Sequence, residues 1–308
     1  MNKKTKLKAA ATISALMASA IILGGCGSNA KNTDIMEISQ TVEAADSKTI
    51  FSNSGERVEA NSKNIISKDK KVEAFTSINA DMDILDLKIR RSNDKYFHIS
   101  YTVKIKKGIS LKNEPISYQI SDGVLTLTDT IKSNQLAHKA TKTLVELYIQ
   151  QNSELSDSTI KLSDGDMTVS NTALQSGSID MEEGDLSLKG ANLSNMKIKL
   201  EDGDVMTNKA SVKDISFNIE DGDFTASKLT AANTVNITSD TGDITFKDAS
   251  SSLTTASITA KTVDGDVVLS KAMKKTMKKT GNGTYQNEIS NPTSTLGIET
   301  EEGDISLK

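Results

Sequence analysis

The dipeptide Gly-Asp recurs at Gly165-Asp166, Gly184-Asp185, Gly203-Asp204, Gly222-Asp223, Gly242-Asp243, Gly265-Asp266 and Gly303-Asp304, at spacings of 19, 19, 19, 20, 23 and 38 residues. A period this regular constrains the fold more than any local propensity. Nineteen residues cannot bury a core of their own, so successive units have to bury one another. An acid precedes the glycine in six of the seven copies, as Asp164, Glu183, Asp202, Asp221, Asp264 and Glu302, and Thr241 is the exception.

The apolar residues keep the same clock. Pairs stand five and three residues before the glycine (Ile160/Leu162, Ile179/Met181, Ile198/Leu200, Phe217/Ile219). Pairs also stand two and four after it (Met167/Val169, Leu186/Leu188, Ile244/Phe246, Ile305/Leu307). A third apolar site recurs at Leu174, Leu193 and Val212. Along a strand one face is read every second residue, so the sets before and after the glycine fall on opposite faces of an unbroken strand. The chain therefore has to turn a corner at acid-Gly-Asp. Glycine supplies the backbone freedom for it and aspartate the local hydrogen bonding. Gly165, Gly184, Gly203, Gly222, Gly242, Gly265 and Gly303 are the expected structural corners. Gly123, flanked by Tyr118/Ile120 and Leu125/Leu127, reads as a degenerate first copy.

Strand, corner, strand and polar return can stack as coils of a β-solenoid or pair as hairpins of a sandwich, and the constant register favours the solenoid. The expected fold is all-β, a single-domain β-solenoid of about 19-residue coils, right-handed and β-helix-like. It occupies residues 72–308, with regular repeats from about 160. Alternating stretches at Met82–Ile89, Phe97–Ile105 and Leu144–Ile149 add strands ahead of the repeats. The stretch 26–71, rich in Ser, Asn, Lys and Glu, has too little apolar area to offset the cost of ordering and reads as a flexible, disordered tether.

Lys3, Lys4, Lys6 and Lys8 precede an uncharged apolar run from Ala9 to Leu23, the plan of a signal peptide over residues 1–25. It ends at Leu23-Gly24-Gly25-Cys26, which resembles a bacterial lipobox. Cys26 is the sole cysteine, and the expectation is a lipidated first residue of the mature chain. Cleavage there removes four lysines and no acid, taking the formal net charge from −4 to −8. Such a chain lacks the concentrated basic face that nucleic acid needs. With no Trp and five Tyr it lacks a stacking platform as well.

The repeats Asp164-Gly165-Asp166-Met167, Glu183-Gly184-Asp185-Leu186 and Asp221-Gly222-Asp223-Phe224, with the closing Glu301-Glu302-Gly303-Asp304-Ile305, resemble the bacterial putative-adhesin family. This is a β-strand-repeat domain of cell-envelope proteins, and the resemblance runs from about Val72 to Lys308. It implies a right-handed solenoid-like fold and a non-enzymatic envelope role, and it supplies no catalytic residues. The polar Ser239, Thr262 and Thr300, three before their glycines, depart from the pattern.

In a stack, Asp166, Asp185, Asp204 and Asp223 fall in a column. Carboxylates about 5 Å apart repel, which a hard cation such as Ca²⁺ would relieve. Corner support with solvated carboxylates is the plainer role. His98 and His138 are far apart, no nucleophile elbow, phosphate loop or zinc spacing is present, and no cofactor is expected. Lys271, Lys274, Lys275, Lys278 and Lys279 form a basic insert in the 38-residue interval, where one corner is missing. They are candidates for contact with an anionic surface. The strand Asp304–Leu307 is expected to end the stack, with the insert between Ala272 and Pro292 folding over its edge. These features describe an extracytoplasmic envelope protein, not an enzyme, anchored to the membrane by lipid at Cys26. Its expected role is an interaction, adhesin-like or structural module, whose partner is cell-wall polymer or another surface protein. The alternatives are a carbohydrate-active enzyme on a parallel β-helix scaffold and a cation-binding repeat protein.

Overall fold

Each acid-Gly-Asp corner hands the chain from one β-sheet to another. The structure, a computed structural model, describes residues 64–106, 114–130, 140–247 and 250–308. The expected signal peptide, Cys26 and most of the expected tether lie outside these residues. The strands before the corners are β8 (Ser158–Asp164), β11 (Gly177–Glu183), β14 (Met196–Asp202), β16 (Ser211–Asp221), β18 (Thr230–Thr241), β20 (Ala256–Asp264) and β24 (Ser294–Glu302), and they share a 14-stranded sheet. The strands after them are β9 (Met167–Ser170), β12 (Leu186–Lys189), β15 (Val205–Asn208), β17 (Phe224–Ser227), β19 (Ile244–Lys247), β21 (Val267–Leu269) and β25 (Ile305–Leu307), and they share an 11-stranded sheet.

Every pairing between these strands is parallel and joins like to like: Ile160 to Ile179 to Ile198 to Phe217, and Met167 to Leu186 to Val205 to Phe224. The paired columns point inward and are at most 2% exposed. The parity break at the corner is thus resolved by two sheets whose inner faces meet. Leu174 in β10 (Ala173–Leu174), Leu193 in β13 (Asn192–Ser194) and Val212 form a third apolar column beside them. The chain is a β-solenoid with one continuous apolar core.

Chain order and spatial order part company near the end. β24 lies between β18 and β20, and β25 between β19 and β21. The coil 294–307 is therefore internal, and the expectation that Asp304–Leu307 ends the stack is corrected. The 38-residue interval hides no missing coil either. After a 3₁₀ turn at Met273–Lys275, residues form the hairpin β22 (Met277–Gly281) and β23 (Thr284–Asn287). β23 pairs antiparallel with β20 and covers its outer edge. The 23-residue interval is lengthened by a short helix, α1 (Ser250–Thr255).

At the other end, β2 (Ser77–Met82) and β3 (Asp86–Arg91) form a coil that stacks on β8 and β9. Its corner carries Leu85 opposite Gly165. Gly123 is not a corner. It follows Asp122 in a two-residue turn joining antiparallel β5 (Ile116–Ser121) and β6 (Val124–Asp129), with both turn residues at positive φ, 52° and 76°. β6 then pairs parallel with β2. β7 (Ala140–Ile149) continues the 11-stranded sheet beyond β3, followed by antiparallel β4 (Phe97–Ile105) and β1 (Ile65–Val72). β1 begins inside the 26–71 stretch expected to be a tether. Lys68, Asp69, Lys70 and Lys71 are exposed along it, and such a polar edge strand has the composition of a linker.

Candidate functional site

The corners form two columns with different physical tasks. The seven corner glycines have φ between +121° and +156°, where a Cβ is strained. The column is also too tight for a side chain. A Cβ on Gly203 would stand 2.1 Å from the carbonyl oxygen of Gly184, and one on Gly222 would stand 2.2 Å from that of Gly203. The next residue is the aspartate. One oxygen of Asp166 accepts the N–H of Asp185, Asp185 that of Asp204, and Asp204 that of Asp223, at 2.8–3.0 Å. The ladder begins at Asp86, which accepts the N–H of Asp166, and continues through Asp223, Asp243 and Asp304 to Asp266. Backbone amide dipoles thus face carboxylates that would otherwise only repel one another. Among the described residues no group of three or more His, Cys, Asp or Glu side chains is placed to hold a metal ion.

Two further corner features are not evident from the repeat alone. The polar Ser239, Thr262 and Thr300 are buried, and their hydroxyls donate to the carbonyls of Gly222, Gly303 and Gly242 at 2.9–3.2 Å. They replace an apolar contact with a bond to a neighbouring corner. At the glycine-less first corner, Asp129 takes over. Its Oδ2 accepts the N–H groups of Asp83 and Ile84 at 2.8 and 2.9 Å. Burial is the main influence on Asp129 and raises its pKa above the ordinary carboxylate value.

The acids before the glycines line the outside of the bend. Lys199 bridges two further acids, each one residue earlier than these, across neighbouring coils, reaching Glu201 at 2.8 Å and Glu220 at 2.9 Å, and these contacts raise its pKa. At the hairpin end, Lys271, Lys274, Lys275, Lys278 and Lys279 are all exposed, whereas Met273 and Met277 are buried against the core. Lys278 reaches Glu288 at 3.1 Å. The basic insert is therefore a cap anchored by two methionines, and it projects its charge outward.

His98 lies on β4, far from the corners, and His138 lies outside the described residues. The His98 Nε2 is 3.0 Å from Asp94 and its Nδ1 3.4 Å from Asp69 on the edge strand β1. The N–H of Tyr96, with help from Ser92 and His98, holds the Asp94 pKa at about 2.

A family model described as Toastrack DUF4097 matches residues 41–308 of this chain. No curated protein matches it. Among solved structures it is similar to a "putative adhesin" from Bacteroides fragilis, at 16% identity and a TM-score of 0.48, covering 80% of this chain and 98% of that one. It is also similar to a "putative cell adhesion protein" from Clostridium sporogenes, at 17% identity and a TM-score of 0.33, covering 79% and 99%. A third is a "putative lipid binding protein" from Parabacteroides distasonis, at 12% identity and a TM-score of 0.33, covering 81% and 99%.

Proposed function

This chain belongs to the Toastrack DUF4097 family, and from that premise we propose that it is a non-catalytic, adhesin-like interaction module of the cell envelope, tethered to the membrane by lipid on Cys26. The observation that carries the non-catalytic reading is the aspartate ladder. The acids that most invite a chemical role recur once per coil, and each from Asp86 to Asp304 spends an oxygen on the backbone of its neighbour. They behave as structural elements.

The envelope assignment rests on the sequence alone: the lysine-led apolar run and the single cysteine at its end. Among the described residues no helix is long and apolar enough to cross a membrane, so in this reading the attachment is the lipid. The rigid solenoid presents its outer strand faces and its basic cap to a partner in the wall or on another surface protein. Replacement Cys26→Ser tests the anchor, with release of the chain from membranes as the expected result. Unchanged membrane retention would remove the anchor from this account. An affinity pull-down against wall fractions and secreted proteins tests the interaction role.

A further inference from the structure

At the ends of β3, β9 and β12 remote from the corners, a groove of about 540 Å³ is lined by Lys88, Arg90, Arg91 and Lys189. The remaining lining is hydroxyl and amide, including Ser170 and Asn171, and among the described residues no acidic or apolar side chain contributes. A four-cation lining is conspicuous in a chain of net charge −4. Among the described residues the acid paired with these cations is Glu146, whose Oε1 lies 3.3 Å from Lys88 and 3.5 Å from Arg90. One carboxylate shared by two cations leaves the groove with surplus positive charge.

The charges are held in place. The Arg90 guanidinium stacks over the Tyr148 ring at 5.1 Å, and the Tyr148 hydroxyl donates to Glu146 at 3.1 Å. Arg91 donates to the carbonyls of Asn171, Gln150 and Ser153 at 2.8–3.1 Å. Such fixed guanidinium groups lose little freedom when they meet an oxyanion. Strand register puts Arg90 opposite Ser170, and Ser170 opposite Lys189. The outer two are therefore two strand spacings apart, about 10 Å.

We infer that this groove binds an anionic glycan, a sugar polymer bearing carboxylate or phosphate groups. Spaced cations answer repeated negative charges, and hydroxyl and amide side chains answer sugar hydroxyls. A flat lipid surface fits less well, because the side chains of Lys88 and Arg90 are recessed, with only 32% and 33% of their surface exposed. An amphipathic acidic peptide would find no apolar anchor in this lining. The inference goes beyond the proposed function and does not require the lipid anchor, so a membrane-retained Cys26→Ser variant would leave it standing.

The test is binding of the full chain to polygalacturonate, phosphorylated dextran, neutral dextran and phosphatidylglycerol vesicles. At least one anionic polymer is expected to bind, at least tenfold more weakly as salt rises from 50 to 500 mM, while neutral dextran does not bind. The two anionic polymers separate carboxylate from phosphate recognition. The double variant Arg90→Gln/Lys189→Gln should weaken binding at least tenfold, and Lys274→Gln/Lys275→Gln in the cap should leave it unchanged. Lys189→Gln alone, at an exposed strand end, should weaken it severalfold with an unaltered melting curve. The inference is overturned if neutral dextran binds equally, if neither anionic polymer binds, or if only vesicles do. It is also overturned if the cap variant loses as much as the groove variant.

Discussion

A carboxylate oxygen of Asp204 accepts the backbone N–H of Asp223 at 2.8 Å, linking two corners 19 residues apart in the chain. The bond needs an acceptor and not a charge. Asp204→Asn keeps the acceptor and should change stability by less than about 0.5 kcal/mol, whereas Asp204→Ala should cost about 1–2 kcal/mol. Urea unfolding of both variants against the parent checks this, and equal losses would refute the ladder as a hydrogen-bond device.

The neighbouring Gly203 faces a harder constraint. At φ +146° and with a prospective Cβ 2.1 Å from the Gly184 oxygen, it cannot become alanine without strain and local displacement. The expected cost of Gly203→Ala is on the order of 2–5 kcal/mol. A loss below that of Asp204→Ala would show that the column is looser than described.

Thr207 is 3% exposed, on the inner face of β15, and its hydroxyl has no hydrogen-bond partner among the described residues. Its neighbours in the column are Leu188 and Ala226. Thr207→Val removes the unmet hydroxyl at nearly constant volume and should stabilise the fold by about 1 kcal/mol. A rise in thermal midpoint is the expected reading.

Acid should loosen the β1 end by a definable route. The Asp94 pKa is depressed from 3.8 to about 2. A carboxylate with a depressed folded-state pKa contributes stability that is complete above the unfolded value and is lost as pH falls through the folded one. The melting temperature should therefore decline between about pH 4 and pH 2, and Asp94→Asn should flatten that part of the profile. An unchanged profile in the variant would assign the acid loss to other groups.

The hairpin β22–β23 covers the outer edge of β20. Deleting Met277–Asn287 leaves that edge's N–H and C=O groups open to a second copy. Light scattering should then find self-association at concentrations where the parent is monomeric. A monomeric deletion variant would deny the hairpin its protective role.

The repeat made the two-sheet coil legible, because apolar parity on either side of Gly184 or Gly203 permits little else. Gly123 shows where that reasoning runs out. Its apolar flanks stand at the same offsets as those of a true corner, and the distinguishing residue is the next one, Val124 in place of the ladder aspartate. The first coil carries no repeat signature, because Leu85 stands where glycine should and the Asp83 and Ile84 amides depend on Asp129, distant in sequence. The basic groove was equally hidden. Arg90 and Lys189 lie far apart in the chain and come to flank one groove only because β9 stands between their strands. No local pattern announces Ser239, Thr262 and Thr300 as donors to the glycine of an adjacent coil, since that adjacency exists only after stacking.

The insertion of β24 and β25 between earlier strands bears on how the molecule can be assembled. A growing chain can add coils in order as far as Lys247, each docking on the one just made. Residues 256–269 emerge next, but their place against β18 and β19 is reserved for residues 294–307, which come later. If the earlier segment docks at once, a wrongly closed stack forms, with like strands in plausible register and the hairpin already sealing it. Correct closure requires this segment to wait or to let go. This step is thus an intercalation, set by strands made after those they separate, and truncation before Ser294 removes an inner coil while leaving the cap sequence intact.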